Sequence, residues 1–81
     1  MIARVKLFAV ARYRVGRDFV EVELPPAATT GQLRGALVEQ FPPLADVVRH
    51  ARLAIDNEYA TDATPVPPAA EIAIIPPVSG G

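Results

Sequence analysis

Residues 29–41, TTGQLRGALVEQF, are the stretch that decides the fold of this chain. Thr29 and Gln32 have the spacing of a capping box at the start of a helix. Apolar residues then recur at helical intervals and form one stripe, made of Leu33, Ala36, Leu37 and Phe41. Pro42 and Pro43 end the pattern. The stretch therefore predicts one main helix that buries a single face against another layer.

Two strands are predicted before this helix. Residues 2–9 alternate, with one face wholly apolar and the other carrying two charges and Phe8. Residues 19–24 alternate in the same way, with two glutamates in water. Gly16 lies between them and can take the positive φ of a turn, so we expect a hairpin with a short link. Phe8 is either a strand-end side chain covered by a loop or a docking contact.

The chain after the main helix predicts a short second helix and further short strands. The second helix has apolar residues at helical spacing, which are Leu44, Val47, Val48 and Ala51. Residues 52–55 and 71–75 are predicted to be strands. Residues 56–58 are predicted to form a turn that is followed by a brief return strand, and the proline-rich residues 61–70 are predicted to form a loop. Gly35 costs the main helix about 1 kcal/mol against alanine, and a close approach of the helix to the sheet would explain it.

This order of elements predicts an α+β roll. We expect a mixed sheet of four to five strands, covered by one main helix and a short second helix. If the first and last strands pair in the middle of the sheet, Phe8 and Ile75 share the face that points away from the helix. They then form an apolar patch beside the start of the C-terminal tail.

Composition narrows the possible functions. The 81 residues allow one domain, and a net charge of −1 gives no basic footprint for nucleic acid or for a membrane surface. No apolar stretch could span a bilayer and no signal peptide is visible, so we expect a cytoplasmic protein. The absence of cysteine excludes disulfides, Cys-ligated metals and a catalytic thiol. His50, the single histidine, has no visible partner and is interpreted as a surface residue.

The two terminal glycines are the unusual chemical feature. Gly80 and Gly81 offer thin backbone that ends in a carboxylate, which suits entry into a partner's narrow active site. We expect residues 1–75 to form the domain and residues 76–81 a flexible tail that reaches about 17 Å. An acyl-adenylate of this carboxylate could accept an amine, a thiol or a sulfide, and sulfide would give a thiocarboxylate.

Motifs along the whole chain resemble one known family. They are VKLFA at residues 5–9 with Arg12 and Gly16 after it, VELP at 22–25, DNEY at 56–59 and EIAIIPPVSGG at 71–81. With these motifs the chain resembles the small, sulfur-carrying subunit of molybdopterin synthase. The closing run is the most specific of them.

The resemblance implies a ubiquitin-like β-grasp fold and a sulfur carrier without catalytic groups of its own. It implies that Gly81 is adenylated by a ubiquitin-activating-like adenylyltransferase that uses ATP, and is then thiocarboxylated with sulfur from a donor. The tail enters the large synthase subunit, in a complex of two large and two small subunits. There the sulfur passes to cyclic pyranopterin monophosphate and builds the molybdopterin dithiolene. No bound cofactor or metal is implied.

The resemblance also places particular residues at the contact with the partner, which are Phe8, Arg12, Ile75, Pro76, Pro77, Val78 and Ser79, with Gly80 beside the reacting Gly81. The chain departs from the family at Arg12-Tyr13, where many members have Arg-Glu, and at residues 68–71, where many have Asp-Gly-Asp-Glu. Three alternatives stay open. They are a sulfur carrier for cysteine or thiamine biosynthesis, a protein modifier joined to lysines, and a passive β-grasp binding domain.

Overall fold

The structure, a computed structural model, describes residues 1–77. Its five strands are β1 (Ile2–Leu7), β2 (Phe19–Glu23), β3 (Arg52–Ile55), β4 (Glu58–Ala60) and β5 (Ile72–Ile75). Its helices are α1 (Ala9–Val15), α2 (Thr30–Gln40) and α3 (Ala45–His50), with a 3-10 turn at Pro42–Leu44. The predicted mixed sheet of four to five strands has five, the main helix and the short second helix are confirmed, and α1 is an addition. None of the helices in this part of the chain is long and apolar enough to cross a membrane.

The first and last strands pair in the middle of the sheet. The strand order is β2-β1-β5-β3-β4, with β1 parallel to β5 and the other neighbours antiparallel. Every second residue of β1 and β5 is buried, and these residues are Ala3, Val5, Leu7, Ile72 and Ile74. They pack with Leu33 and Leu37 of α2 in one hydrophobic core. The sheet therefore has an inner face covered by helices and an outer face turned away from them.

The link between β1 and β2 differs from the expected hairpin turn. Ala9 does not extend β1 but starts α1, a helix of seven residues. Ala11 and Val15 lie one helical turn apart and face the core, and this burial favours a helix over a short turn. Gly16 ends α1 with a φ of 75°, so the predicted positive φ is confirmed at the end of a helix.

The start of α2 is held from two sides. The predicted capping box between Thr29 and Gln32 is present. The next two backbone N–H groups donate to the proline-rich loop, from Thr30 to the Thr64 carbonyl at 2.8 Å and from Gly31 to the Asp62 carbonyl at 2.9 Å. The first N–H groups of a helix have no acceptor within the helix, and these two bonds supply acceptors for two of them. The loop is therefore fixed against the helix that covers the sheet.

Gly35 does not mark a close approach of helix and sheet, so that expectation is wrong. It is exposed on α2, and a Cβ atom there meets nothing within 4 Å. Gly35→Ala is expected to raise the free energy of unfolding by about 0.5–1 kcal/mol, because alanine loses less backbone entropy in a helix. Urea unfolding measures the change. Gly16→Ala is the matched control and should lower stability, because its φ is 75°. No gain from Gly35→Ala would contradict the argument.

Candidate functional site

The parallel pairing of β1 and β5 brings two chain segments to the same edge of the sheet. Leu7 near the end of β1 pairs with Ile74 near the end of β5. Phe8 follows β1 directly and Pro76 follows β5 directly, so both leave the sheet on the same side. The start of the C-terminal tail therefore lies beside Phe8.

One row of side chains crosses the outer face of all five strands. The strand registers pair Lys6 with Phe19 and with Ala73, Ala73 with Ala54, and Ala54 with Tyr59. We call this the outer-face row. Alanines, which have small side chains, occupy the middle of this row on β5 and β3. The outer face is therefore hollow where β1, β5 and β3 lie side by side.

This hollow is an open depression of about 470 Å³, here called the central depression. Its lining residues are Lys6, Phe8, Ala54, Asn57, Tyr59, Glu71, Ala73 and Ile75. Phe8 is 49% exposed, Tyr59 is 61% exposed and Ile75 is half-buried. The structure therefore brings Phe8 and Ile75 together on the outer face, as strand parity predicted.

Arg12 lies in a neighbouring depression and not in the central one. This lateral depression is lined by Arg4, Lys6, Leu7, Phe8, Arg12, Asp18 and Phe19. Arg12 Nε lies 2.9 Å from Asp18 Oδ1, in an ion pair with both side chains exposed to solvent. Exposed pairs of this kind contribute little to stability. Arg12 and Phe8 therefore line the same depression, whereas Ile75 does not line it.

A third depression surrounds the base of the tail. It is lined by His50, Arg52, Tyr59, Ile75, Pro76 and Pro77. Pro76 is buried and Pro77 is exposed. Ile75 and Tyr59 line both this depression and the central one, so the two depressions are adjacent. The other tail residues named in the sequence analysis, Val78, Ser79, Gly80 and Gly81, lie outside the described residues.

The cationic side chains in and around the central depression have two kinds of partner, a carboxylate or an aromatic ring. Lys6 Nζ forms an ion pair with Glu71 Oε1 across β1 and β5. The guanidinium of Arg4 lies 3.7 Å from the centroid of the Phe19 ring, and that of Arg52 lies 4.4 Å from the centroid of the Tyr59 ring. Cation–π contacts of this kind hold an arginine against a ring while its N–H groups stay available.

Sequence reasoning missed three residues of this surface. The sequence places Tyr59 in the DNEY motif and in a brief strand but not at the partner contact, although an exposed tyrosine on an edge strand is a typical interface residue. Ala54 and Ala73 form the floor of the hollow, and Ala54 is only 7% exposed although it points outward. Their role depends on how β3 and β5 pair, which the sequence pattern does not specify.

The described residues form a surface suited to binding another protein. Within residues 1–77, no group of three His, Cys, Asp or Glu side chains is placed to hold a metal ion. Apolar side chains on the rim, an alanine floor and stacked arginines suit contact with another protein. The reacting group expected from the sequence, the Gly81 carboxylate, belongs to the tail that starts at this surface.

Known proteins of similar sequence and structure match almost the whole chain. The pattern of the ThiS family matches residues 5–81. A protein of Arabidopsis thaliana named molybdopterin synthase sulfur carrier subunit is 41% identical over 78 residues, which are 96% of this chain and 81% of that protein.

Solved structures have the same fold. The crystal structure of SAMP1 from Haloferax volcanii has a TM-score of 0.86 and 30% identity, and the match covers all of both chains. In the protein-protein complex of subunits 1 and 2 of the molybdopterin-converting factor from Helicobacter pylori, one chain has a TM-score of 0.68 and 20% identity, again over all of both chains. The ubiquitin-like β-grasp fold expected from the sequence is confirmed. By its family pattern and its relatives, the chain belongs to the ThiS family.

Proposed function

We propose that this chain is the sulfur-carrier subunit of a molybdopterin synthase. One observation carries the proposal: the base of the tail lies beside an open depression whose lining includes the apolar side chains of Phe8 and Ile75. A tail that must enter a partner's active site needs such a docking surface next to its root. The 41% identity to a sulfur carrier subunit over 96% of the chain supports the same function.

The chemistry belongs to the terminal carboxylate. In the first step, an oxygen of Gly81 attacks the α-phosphate of ATP on a ubiquitin-activating-like adenylyltransferase, and pyrophosphate leaves. In the second step, sulfide from a donor attacks the carbonyl carbon, the acyl C–O bond to AMP breaks and AMP leaves, which gives a thiocarboxylate. In the large synthase subunit, this sulfur bonds to a carbon of cyclic pyranopterin monophosphate, and water cleaves the acyl C–S bond and restores the carboxylate. Two such transfers supply the two sulfur atoms of the dithiolene. The chain is thus a carrier, and the catalytic groups and ATP belong to its partners.

The folded unit and the tail have separate roles in this proposal. Residues 1–75 dock, with Phe8 and Ile75 as apolar contacts and Arg12 at the rim. Residues 76–81 form the arm, whose two prolines reduce the entropy lost when it enters the partner. Val78, Ser79 and Gly80 follow the prolines inside the partner. We place the complex, with two large and two small subunits, in the cytoplasm.

Mass spectrometry after co-expression with the large subunit and the activating enzyme tests the proposal. We expect the chain to co-purify with the large subunit and to carry the mass increase of one sulfur in place of one oxygen. Co-purification with a thiamine or cysteine biosynthetic enzyme instead would assign the carrier to that pathway. Conjugates at target lysines would indicate a modifier. Lys6 is the only lysine of the chain, so side-chain linkage between copies could use no other residue.

Phe8→Ala is expected to weaken binding to the large subunit by about 1–2 kcal/mol or more, because an apolar anchor at the rim of the central depression is lost. Isothermal titration calorimetry measures the affinity. Tyr13→Ala is the matched control, because Tyr13 is 85% exposed on α1 and lines none of the three depressions. Equal affinity of the Phe8 variant and the parent would show that Phe8 is only a side chain at the strand end that a loop covers, and not a docking contact.

A further inference from the structure

Both ends of the outer-face row carry an arginine laid on an aromatic ring. Arg4 covers Phe19 of β2, and Arg52 covers Tyr59 of β4. These are the two edge strands of the sheet. Four strand spacings separate them, so the two rings are about 19 Å apart. The central depression lies between them.

Two other cations of this surface are paired with carboxylates, whereas Arg17 also lies over the Phe19 ring, at 5.4 Å from its centroid. Lys6 is paired with Glu71, and Arg12 is paired with Asp18. Within the described part of the chain, no carboxylate oxygen lies within 4.0 Å of a side-chain nitrogen of Arg4 or Arg52. Glu21 is the cross-strand neighbour of Arg4, yet the two do not form an ion pair.

Stacking prepares these guanidinium groups for an anionic partner. A ring covers one face of the guanidinium plane and leaves the N–H groups at its edge open. Because the side chain is already held, less entropy is lost when it binds a carboxylate. Arginine and carboxylate can form two parallel charge-assisted hydrogen bonds, which makes such a contact specific.

We propose that Arg4 and Arg52 are recognition sites for two carboxylates of the large synthase subunit. That subunit presents an apolar side chain to the central depression, with one acidic residue on each side of it. The two arginines without a carboxylate partner require an anionic occupant, and Tyr59, which lines both the central depression and the depression at the tail base, places this surface beside the tail that the partner receives. The inference rests on the proposed function, which supplies the partner that receives the tail.

Charge-removal variants test the inference. Arg4→Gln and Arg52→Gln are each expected to weaken binding of the purified large subunit about 5- to 20-fold, and the double variant by about the product of the two. The affinity of the parent should fall as NaCl rises from about 50 to about 500 mM, and that of the double variant should fall much less. Arg52→Lys keeps the charge but loses the fork, so it should keep the salt dependence and recover only part of the affinity.

Arg49→Gln is the matched control. Arg49 lies on α3, lines none of the three depressions and pairs only distantly with Asp46, at 4.0 Å. The affinity of the Arg49→Gln variant for the large subunit should lie within about twofold of that of the parent. Double-variant binding within twofold of the parent at low salt overturns the inference and leaves the sulfur-carrier function intact. An effect on the activating enzyme alone overturns the choice of occupant. A parent chain that neither binds the large subunit nor gains sulfur overturns both proposals.

Discussion

A chain that lacks Gly81 is expected to lose all sulfur transfer and to keep its folded domain unchanged. The shortened tail ends about 3.4 Å too early, whereas misplacement by 1 Å can already cost about a hundredfold in rate. Adding one residue after Gly81 should have the same effect, because the carboxylate then lies beyond the reacting position.

Two measurements together check this expectation. Intact mass after incubation with activating enzyme, ATP and sulfur donor reports thiocarboxylate formation, and urea unfolding reports the stability of the domain. Ser79→Ala is the matched control, since it changes the tail but keeps its length and its terminal glycines. Normal sulfur transfer from the shortened chain would falsify the sulfur-carrier proposal. Loss of transfer together with unfolding would instead show that Gly81 has a structural role.

Arg34→Ala is expected to lower the free energy of unfolding by about 2–3 kcal/mol. Arg34 Nη1 donates to the carbonyl oxygens of Val48 and Ala51, the latter at 2.9 Å. Its Nε lies 3.4 Å from Asp62 Oδ1. The side chain is only 24% exposed. These carbonyls end α3, where a helix cannot satisfy them, so removal of the guanidinium leaves buried acceptors without a donor.

Chemical denaturation of the Arg34 variants measures this loss. Arg34→Lys keeps a positive charge but only a point donor, so we expect a loss between those of the parent and the alanine variant. Arg49→Ala on the neighbouring helix removes an exposed arginine and should change stability by no more than about 0.5 kcal/mol. Equal losses in the Arg34 and Arg49 alanine variants would show that the buried hydrogen bonds contribute little.

Features governed by short-range chemistry were predictable from the sequence. The capping box of Thr29 and Gln32 depends on residues three apart, and the structure forms it. The alternation in β2 identified its buried and exposed sides, and Val20 and Val22 are buried. Parity along β1 and β5 also placed Phe8 and Ile75 on one face, since side chains alternate strictly along a strand.

Features governed by packing were not predictable. α1 has only Ala11 and Val15 as buried or partly buried apolar residues, too few for a helical pattern in seven residues. It also starts at Ala9 with a φ of 50°, a conformation that an alanine adopts only when its surroundings favour it. The alanine floor depends on the register of β3 against β5, and a slip of one residue would turn different side chains outward.

The central position of β5 has a consequence for the order of folding. β5 is the last strand along the described chain but the middle one in space, and its contacts join residues as far apart as Lys6 and Glu71, which are 65 positions apart. Such non-local pairing forms late and slowly, because a long loop must close first. During synthesis β1 and β3 therefore have no common neighbour until residues 72–75 emerge. The outer face, with the central depression in it, is therefore completed only on chains that already contain β5.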